Sequence, residues 1–369
     1  MSDRIGVGIV GCGTISAAYL RRLCTLDTID VVACADLVPD RAAARAAEFG
    51  VRESCSPEAL VAHADVDVVV NLTIPAVHVP LTLAALDNGK SVYSEKPVAL
   101  NRADGLALLD RAAAAGVRVG SAPDTFLGAG LQTCRALLDD GAIGEPLGAC
   151  AFMMGSGPES WHPDPAFFYQ AGAGPMFDVG VYYLTALVAL LGPARRVSGS
   201  ARISRAERLI TSEPRRGTSI PVEVPTHVAA VVDFESGPVA SVVASFDIAA
   251  STLPRIEVYG TEGTLLAPDP NTFGGPVRLR RAGDAEWQDV PLRAGFSEQS
   301  RGIGLADMVL AARAGLPHRA SGELAVHVVD VMQAVHDASD TGAAVSLTTA
   351  CARPALLPEG WDGTASWLS

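Results

Sequence analysis

Two groups of side chains in this sequence could move a proton: Lys96, held between Glu95 and Pro97, and the pair Asp178 and Tyr182, four residues apart. Far upstream, Gly11 and Gly13 separate the apolar run Ile5-Gly6-Val7-Gly8-Ile9-Val10 from a helix-like run that begins at Ile15. In a strand, tight turn and helix start, the first glycine permits the turn and the second lets the backbone approach a pyrophosphate at the positive end of the helix. Thr14 and Ile15 complete this candidate cofactor loop, and Ser16 stands where a third glycine is usual. An acid is needed about 20 residues further on, at the end of the second strand, to accept hydrogen bonds from ribose hydroxyls. Asp36 stands there. Its charge would repel a ribose phosphate, so NAD is expected rather than NADP, although Arg41 leaves some room for the latter; the plainer role for Asp36 is to cap a turn before Pro39. The glycines and the charged pair together describe an enzyme that holds a nicotinamide cofactor and moves a proton beside it.

Positioning these groups requires a parallel sheet. From Ile5 to about Ser121, apolar runs alternate with helix-like stretches, the pattern of repeated strand and helix units. Strands are expected at Ile5 to Val10, Asp30 to Ala35, Asp67 to Leu72, Ser91 to Ser94 and Val117 to Ser121. Helices are expected at Ile15 to Cys24, Asp40 to Phe49, Ala76 to Asn88 and Arg102 to Ala115, with Gly50, Gly89 and Gly116 as stops. After Pro123 strands follow one another directly, from Leu147 to Met153 through to Glu286 to Leu292, many alternating polar and apolar as in a one-sided antiparallel sheet. Helices over Gly128 to Asp140, Pro175 to Leu191, Leu305 to Ala314 and Glu323 to Ser339 accompany them. The expected architecture is an α/β Rossmann domain over residues 1–122, then an α+β domain over 123–369 with a large, mostly antiparallel sheet. The polar, proline-broken segment Glu207 to Pro225 reads as a long excursion serving as a substrate lid or a subunit contact.

Composition narrows the function classes. A net charge of −13 without a basic cluster opposes nucleic-acid binding, and no apolar stretch reaches the roughly 18 residues of a membrane span. Met1-Ser2-Asp3-Arg4 runs straight into a strand without the features of a signal peptide, so a cytoplasmic location is expected. The seven cysteines lack paired spacing, which argues for buried thiols rather than a metal site or a disulfide framework.

The sequence resembles the Gfo/Idh/MocA family of sugar and polyol dehydrogenases. The resemblance rests on Gly11-Cys12-Gly13 with Asp36, on Thr73-Ile74-Pro75-Ala76-Val77-His78, on Glu95-Lys96-Pro97, and on Gly174-Pro175-Met176-Phe177-Asp178-Val179-Gly180-Val181-Tyr182. It implies that Thr73, His78, Glu95 and Lys96 join the glycine loop around the cofactor, with His78 either touching it or merely capping a helix. It also implies that Lys96 sits beside the nicotinamide and the reacting hydroxyl, where burial and the positive ring would lower its ordinary pKa of about 10.4 enough for proton exchange. Glu95 would hold the backbone or a neighbouring group, and Pro97 matches a proline often preceded by a cis bond. Asp178 would orient Lys96 or a substrate hydroxyl. Tyr182 takes the place of the family's histidine and, with an ordinary pKa of about 10, would donate a hydrogen bond rather than act as base.

Trp161 and His162 lie in an aromatic loop suited to the C–H face of a sugar ring, and His162 could stand in for the missing histidine. Arg301 reaches either substrate or solvent. The resemblance further implies homodimers or homotetramers built on the outer face of the second sheet. The leading expectation is NAD-dependent oxidation of a cyclic sugar or polyol; alternatives are a bound NAD that cycles during elimination or hydrolysis of a glycoside, and a dinucleotide and sugar sensor without turnover.

Overall fold

The structure is a computed structural model and describes residues 4–364, so the leader reading at Met1 to Asp3 lies outside the described residues. The first part contains β1 (Ile5–Val10), α1 (Ser16–Leu23), β2 (Ile29–Ala35), α2 (Pro39–Phe49), β3 (Glu53–Cys55), α3 (Pro57–Val61), β4 (Val68–Asn71), α4 (Pro75–Asp87), β5 (Ser91–Ser94), α5 (Arg102–Ala115) and β6 (Val119–Ser121). The six strands are parallel in the order β3-β2-β1-β4-β5-β6. The order reverses between β1 and β4, which opens a crevice at the carboxyl ends of those strands. β1 and β4 are buried almost throughout, as a sheet covered on both faces requires. Gly50 and Gly116 end α2 and α5 in left-handed conformations, and Asn101 caps α5 by accepting from the Asp104 N–H. β3 and α3 were not expected: three and five residues are too few to show a period.

The remainder contains α6 (Ala129–Asp139), β7 (Pro146–Met154), α7 (Val181–Leu191), β8 (Ala194–Arg202), β9 (Glu207–Leu209), β10 (Ser219–Pro221), β11 (His227–Phe234), β12 (Val239–Ser245), β13 (Ile256–Gly260), β14 (Gly263–Ala267), β15 (Val277–Arg281), β16 (Gln288–Val290), α8 (Ile303–Arg313), α9 (Gly322–Thr341) and β17 (Val345–Ser346). Nine strands form one sheet in the order β16-β15-β14-β13-β7-β12-β11-β8-β17, antiparallel except where β7 runs alongside β12. Its inner face packs on α6, α7 and α9, and one apolar core runs through both sheets.

Three expectations change in this half. Pro175 to Leu191 is not a continuous α-helix, because a π-helical turn, Met176–Gly180, precedes α7. The excursion from Glu207 to Pro225 contains the ribbon β9–β10, whose Ile210, Ile220 and Val222 form a small separate core with Phe168, Tyr169 and Phe246. The last helix serves both halves of the chain: α9 lies on β8 but also on α5 and β6, with Val326 against Gly105 and Val335 against Gly199. Cys24 is exposed, and Cys55 and Cys351 are partly so, so only four of the seven thiols are buried.

Candidate active site

The carboxyl ends of β1, β2, β4 and β5 carry the glycine loop, Asp36, Thr73 and Lys96 to one edge of the parallel sheet. Gly11 follows β1 with φ +98°, and a Cβ there would lie 2.6 Å from the Leu72 carbonyl carbon, so both the turn and the close approach to β4 require glycine. A Cβ on Gly13 would meet no protein atom within 4 Å, leaving that side of the loop open to a ligand. Ser16 closes the turn by donating from its hydroxyl to the Gly13 carbonyl at 2.6 Å. The Asp36 carboxylate accepts from the Cys12 N–H at 2.8 Å and the Val38 N–H at 2.9 Å, which fixes it between the loop and the end of β2. Among the described residues the N–H groups of Thr14 and Ile15 donate to no protein acceptor, at the start of a helix without a side-chain cap. An open glycine cradle, outward N–H groups ahead of α1 and a carboxylate fixed beside them fit the pyrophosphate and ribose of NAD.

Lys96 follows β5 through a cis peptide to Pro97. Its ammonium donates to the Asp178 carbonyl at 2.6 Å and to Asp178 Oδ1 at 2.9 Å, and it lies 5.2 Å from the centre of the Tyr182 ring. The π-helical turn places Asp178 and the first turn of α7 places Tyr182, so the pair converges although the intervening backbone is not α-helical. The Tyr182 hydroxyl accepts from Arg301 at a long 3.5 Å. Burial pushes the tyrosine's pKa up, against the opposing pull of Lys96 and Arg301. In the protein by itself burial pulls the Lys96 pKa down, but the neighbouring Asp178 and Glu95 carboxylates outweigh it and hold the lysine above its ordinary value.

Glu95 is a brace. Its carboxylate accepts from the Tyr19 hydroxyl at 2.8 Å and from the Lys96 N–H at 3.0 Å, tying the lysine turn to α1. His78 does not line the crevice: it is fully buried, with Nδ1 2.7 Å from the Pro97 carbonyl and Nε2 3.0 Å from the Thr73 carbonyl. It is corrected from a cofactor contact to a latch between α4 and the lysine turn. Burial pushes its pKa down, against the two carbonyls.

Thr73 hangs on Asn71, a buried residue that sequence reasoning missed, whose Oδ1 accepts from the Thr73 hydroxyl at 2.6 Å and whose amide donates to the His78 carbonyl at 3.1 Å. Asp124 was missed as well. Its carboxylate accepts from the N–H groups of Gly302 at 2.8 Å and Gly304 at 3.1 Å, and burial raises its pKa to about 6 against those two bonds. The one local signal was a carboxylate directly after the Ala122-Pro123 bend. Trp161 and His162 pack edge to face with each other and with Phe168, and among the described residues no hydrogen bond or ring contact joins them to Lys96, Asp178 or Tyr182.

Comparison with known proteins agrees with this arrangement. Residues 5–122 match the model of the oxidoreductase family with an NAD-binding Rossmann fold, and residues 131–266 match the GFO/IDH/MocA C-terminal domain. Inositol 2-dehydrogenase 3 of Saccharopolyspora erythraea is 29% identical over 300 residues, covering 77% of this chain and 80% of that protein. The dTDP-3,4-didehydro-2,6-dideoxy-alpha-D-glucose 3-reductase of Streptomyces antibioticus is 29% identical over 341 residues, covering 90% of this chain and 94% of that protein. The structure of levoglucosan dehydrogenase in complex with NADH and levoglucosan superposes with a TM-score of 0.81 at 20% identity, over 94% of this chain and all of that one, which shows a shared fold. A glycine loop and acid that fit NAD, a lysine turn at the end of β5 and a matching second sheet thus place this chain in the Gfo/Idh/MocA family of NAD-binding oxidoreductases.

Proposed function

We propose that the protein transfers hydride between NAD and a hydroxyl-bearing carbon of a cyclic sugar or polyol, with Lys96 exchanging the hydroxyl proton. The observation that carries this reading is the meeting of Lys96, Asp178 and Tyr182 at a turn that Glu95 and Tyr19 tie to the helix after the open glycine loop. When bound, the nicotinamide takes up or returns the hydride. As an ammonium held by Asp178, Lys96 is set to give a proton to a carbonyl oxygen during reduction. In the oxidative direction the same nitrogen must first be the free amine, which then takes the hydroxyl proton, so oxidation should quicken as pH rises. Asp178 aims the nitrogen from two oxygens, and the Tyr182 hydroxyl offers a hydrogen bond to the reacting oxygen.

A ring substrate is supported by the inositol dehydrogenase and the levoglucosan complex among the relatives. Trp161, two-thirds exposed and edge-on to His162 and Phe168, is the stacking face in this reading, with His162 beside it. Val231, Val239 and Tyr259 are exposed on the outer face of the nine-stranded sheet, and we assign that face to homodimer or homotetramer contacts, testable by light scattering.

The functional test is absorbance of reduced nicotinamide with aldoses, inositols and anhydrosugars under NAD or NADP, with Lys96→Met as control. Signal with NAD that falls at least about a hundredfold in the variant, NAD binding being retained, supports the reading. Silence across the panel despite tight NAD binding would overturn it in favour of bound-cofactor cycling or a sensor.

A further inference from the structure

Arg301 reaches the Tyr182 hydroxyl from the turn ahead of α8, and it does so as a cation whose hydrogen bonds, among the described residues, all run to neutral oxygens. Nη1 donates to the Gln299 side-chain carbonyl at 2.8 Å, and Nη2 donates to that of Asn271 at 3.0 Å and to the Tyr182 hydroxyl at 3.5 Å. These use three of the five N–H groups of a guanidinium. The two carboxylates whose charge it feels, Glu95 and Asp124, are engaged elsewhere. Glu95 holds Tyr19 and the Lys96 N–H, while Asp124 holds the N–H groups of Gly302 and Gly304. Lys96, by contrast, has its counter-charge in place at 2.9 Å. Gln299 from its own turn and Asn271 from a separate loop therefore hold a half-buried guanidinium toward Tyr182. None of them supplies it with an ion pair.

A neutral polyol needs no such group. The N–H groups left over, on Nε and Nη1, can donate charge-assisted hydrogen bonds to a carboxylate, and a single positive charge balances a monoanion. A chain of net charge −13 repels acidic metabolites at long range, so a local cation is what lets one settle. We propose that Arg301 binds a carboxylate carried by the substrate, which makes the preferred substrate class a cyclic sugar acid such as a hexuronate rather than the neutral sugar. The proposal rests on the site assigned above, and its test is built so that the two can fail separately.

NADH-loaded protein is titrated by calorimetry with galacturonate and galactose, then glucuronate and glucose, each pair differing by a carboxylate in place of a hydroxymethyl group, and with glucose 6-phosphate. The uronates should bind at least about tenfold more tightly than their neutral partners. Arg301→Met should cut that preference by about 10- to 100-fold, the range for a charge-assisted bond, and Arg301→Lys should restore part of it. Neutral sugars that bind as well as uronates, or no binding by any uronate, would overturn the proposal. So would an equal loss for both partners in Arg301→Met, which would make Arg301 a prop for Tyr182. Weaker NADH binding in the variant would assign the arginine to the cofactor, and tighter binding of the phosphate than of the uronates would exclude the carboxylate. Titration with NADH involves no turnover, so failure of the dehydrogenase reading, seen as absence of NADH formation from NAD, leaves this ratio readable.

Discussion

Replacing Asp178 by asparagine removes a charge from beside Lys96 while keeping size and one acceptor oxygen. The backbone carbonyl of residue 178, 2.6 Å from the ammonium, stays in place, so the lysine keeps its aim. What is lost is the attraction between unit charges 2.9 Å apart. At an effective dielectric constant of about 20 this is worth about 6 kcal/mol, or roughly four powers of ten in proton affinity. Lys96 and Asp178 remain 15% and 25% exposed, and solvent screening should reduce the effect to roughly two powers of ten. Burial then acts on the lysine with less opposition, and its proton leaves at lower pH. The assay is kcat/KM for oxidation against pH, with the wild type and Asp178→Asn run in parallel. The limb on which rate climbs with pH should move to lower pH by about two, while the plateau falls because one oriented acceptor is weaker. An unmoved limb would mean that Lys96 is not the titrating group, and loss of the limb altogether would make Asp178 itself the base.

Other expectations follow from the loop, the latch and the last helix. Gly11→Ala should destabilise the protein by at least about 2 kcal/mol in urea unfolding, given φ +98° and a 2.6 Å approach to Leu72, whereas Gly13→Val should leave stability nearly untouched and raise the Kd for NAD at least about tenfold. His78 is buried with a lowered pKa, so its contribution is intact above about pH 6.5 and is lost as pH falls through that value toward the folded one. Urea midpoints should therefore decline from pH 7 to pH 5, less steeply in His78→Gln. Arg102→Met strands Asp330, which is wholly buried, and should cost about 3–5 kcal/mol at pH 7. Burial raises the Asp330 carboxyl, but the Thr349 hydroxyl, Arg102 and the Thr348 N–H outweigh it. That carboxylate stabilises the fold above about pH 4, and the gap between wild type and variant should narrow as pH falls further.

The sequence exposed those parts of the site whose requirements are local. Gly11 and Gly13 are demanded by the backbone of one turn, Asp36 by the end of one strand, and Lys96 by one short motif, so each leaves its mark within a few residues. Asn71, Tyr19 and Asp124 act through partners that the fold brings from elsewhere. The bond from Asp124 to Gly302 joins positions 178 apart in the chain and produces no periodicity to read. The same holds for β3 and the ribbon β9–β10, which are too short to alternate visibly. The π-helical turn at Asp178 escaped because apolar spacing from Met176 to Leu191 suits an α-helix nearly as well.

The placement of α9 bears on how such a protein could be recombined. That helix is laid against β8 of the second sheet and against α5 and β6 of the first, with Arg102 on α5 joined to Asp330 and Asp337 on α9. A graft of residues 1–122 onto a foreign partner would leave the α5 face without its cover and Arg102 without its two carboxylates. The cofactor-binding half is therefore not an independent cassette, and a working chimera would have to carry residues 322–341 along with it, so that the two sequence-distant pieces are inherited as one.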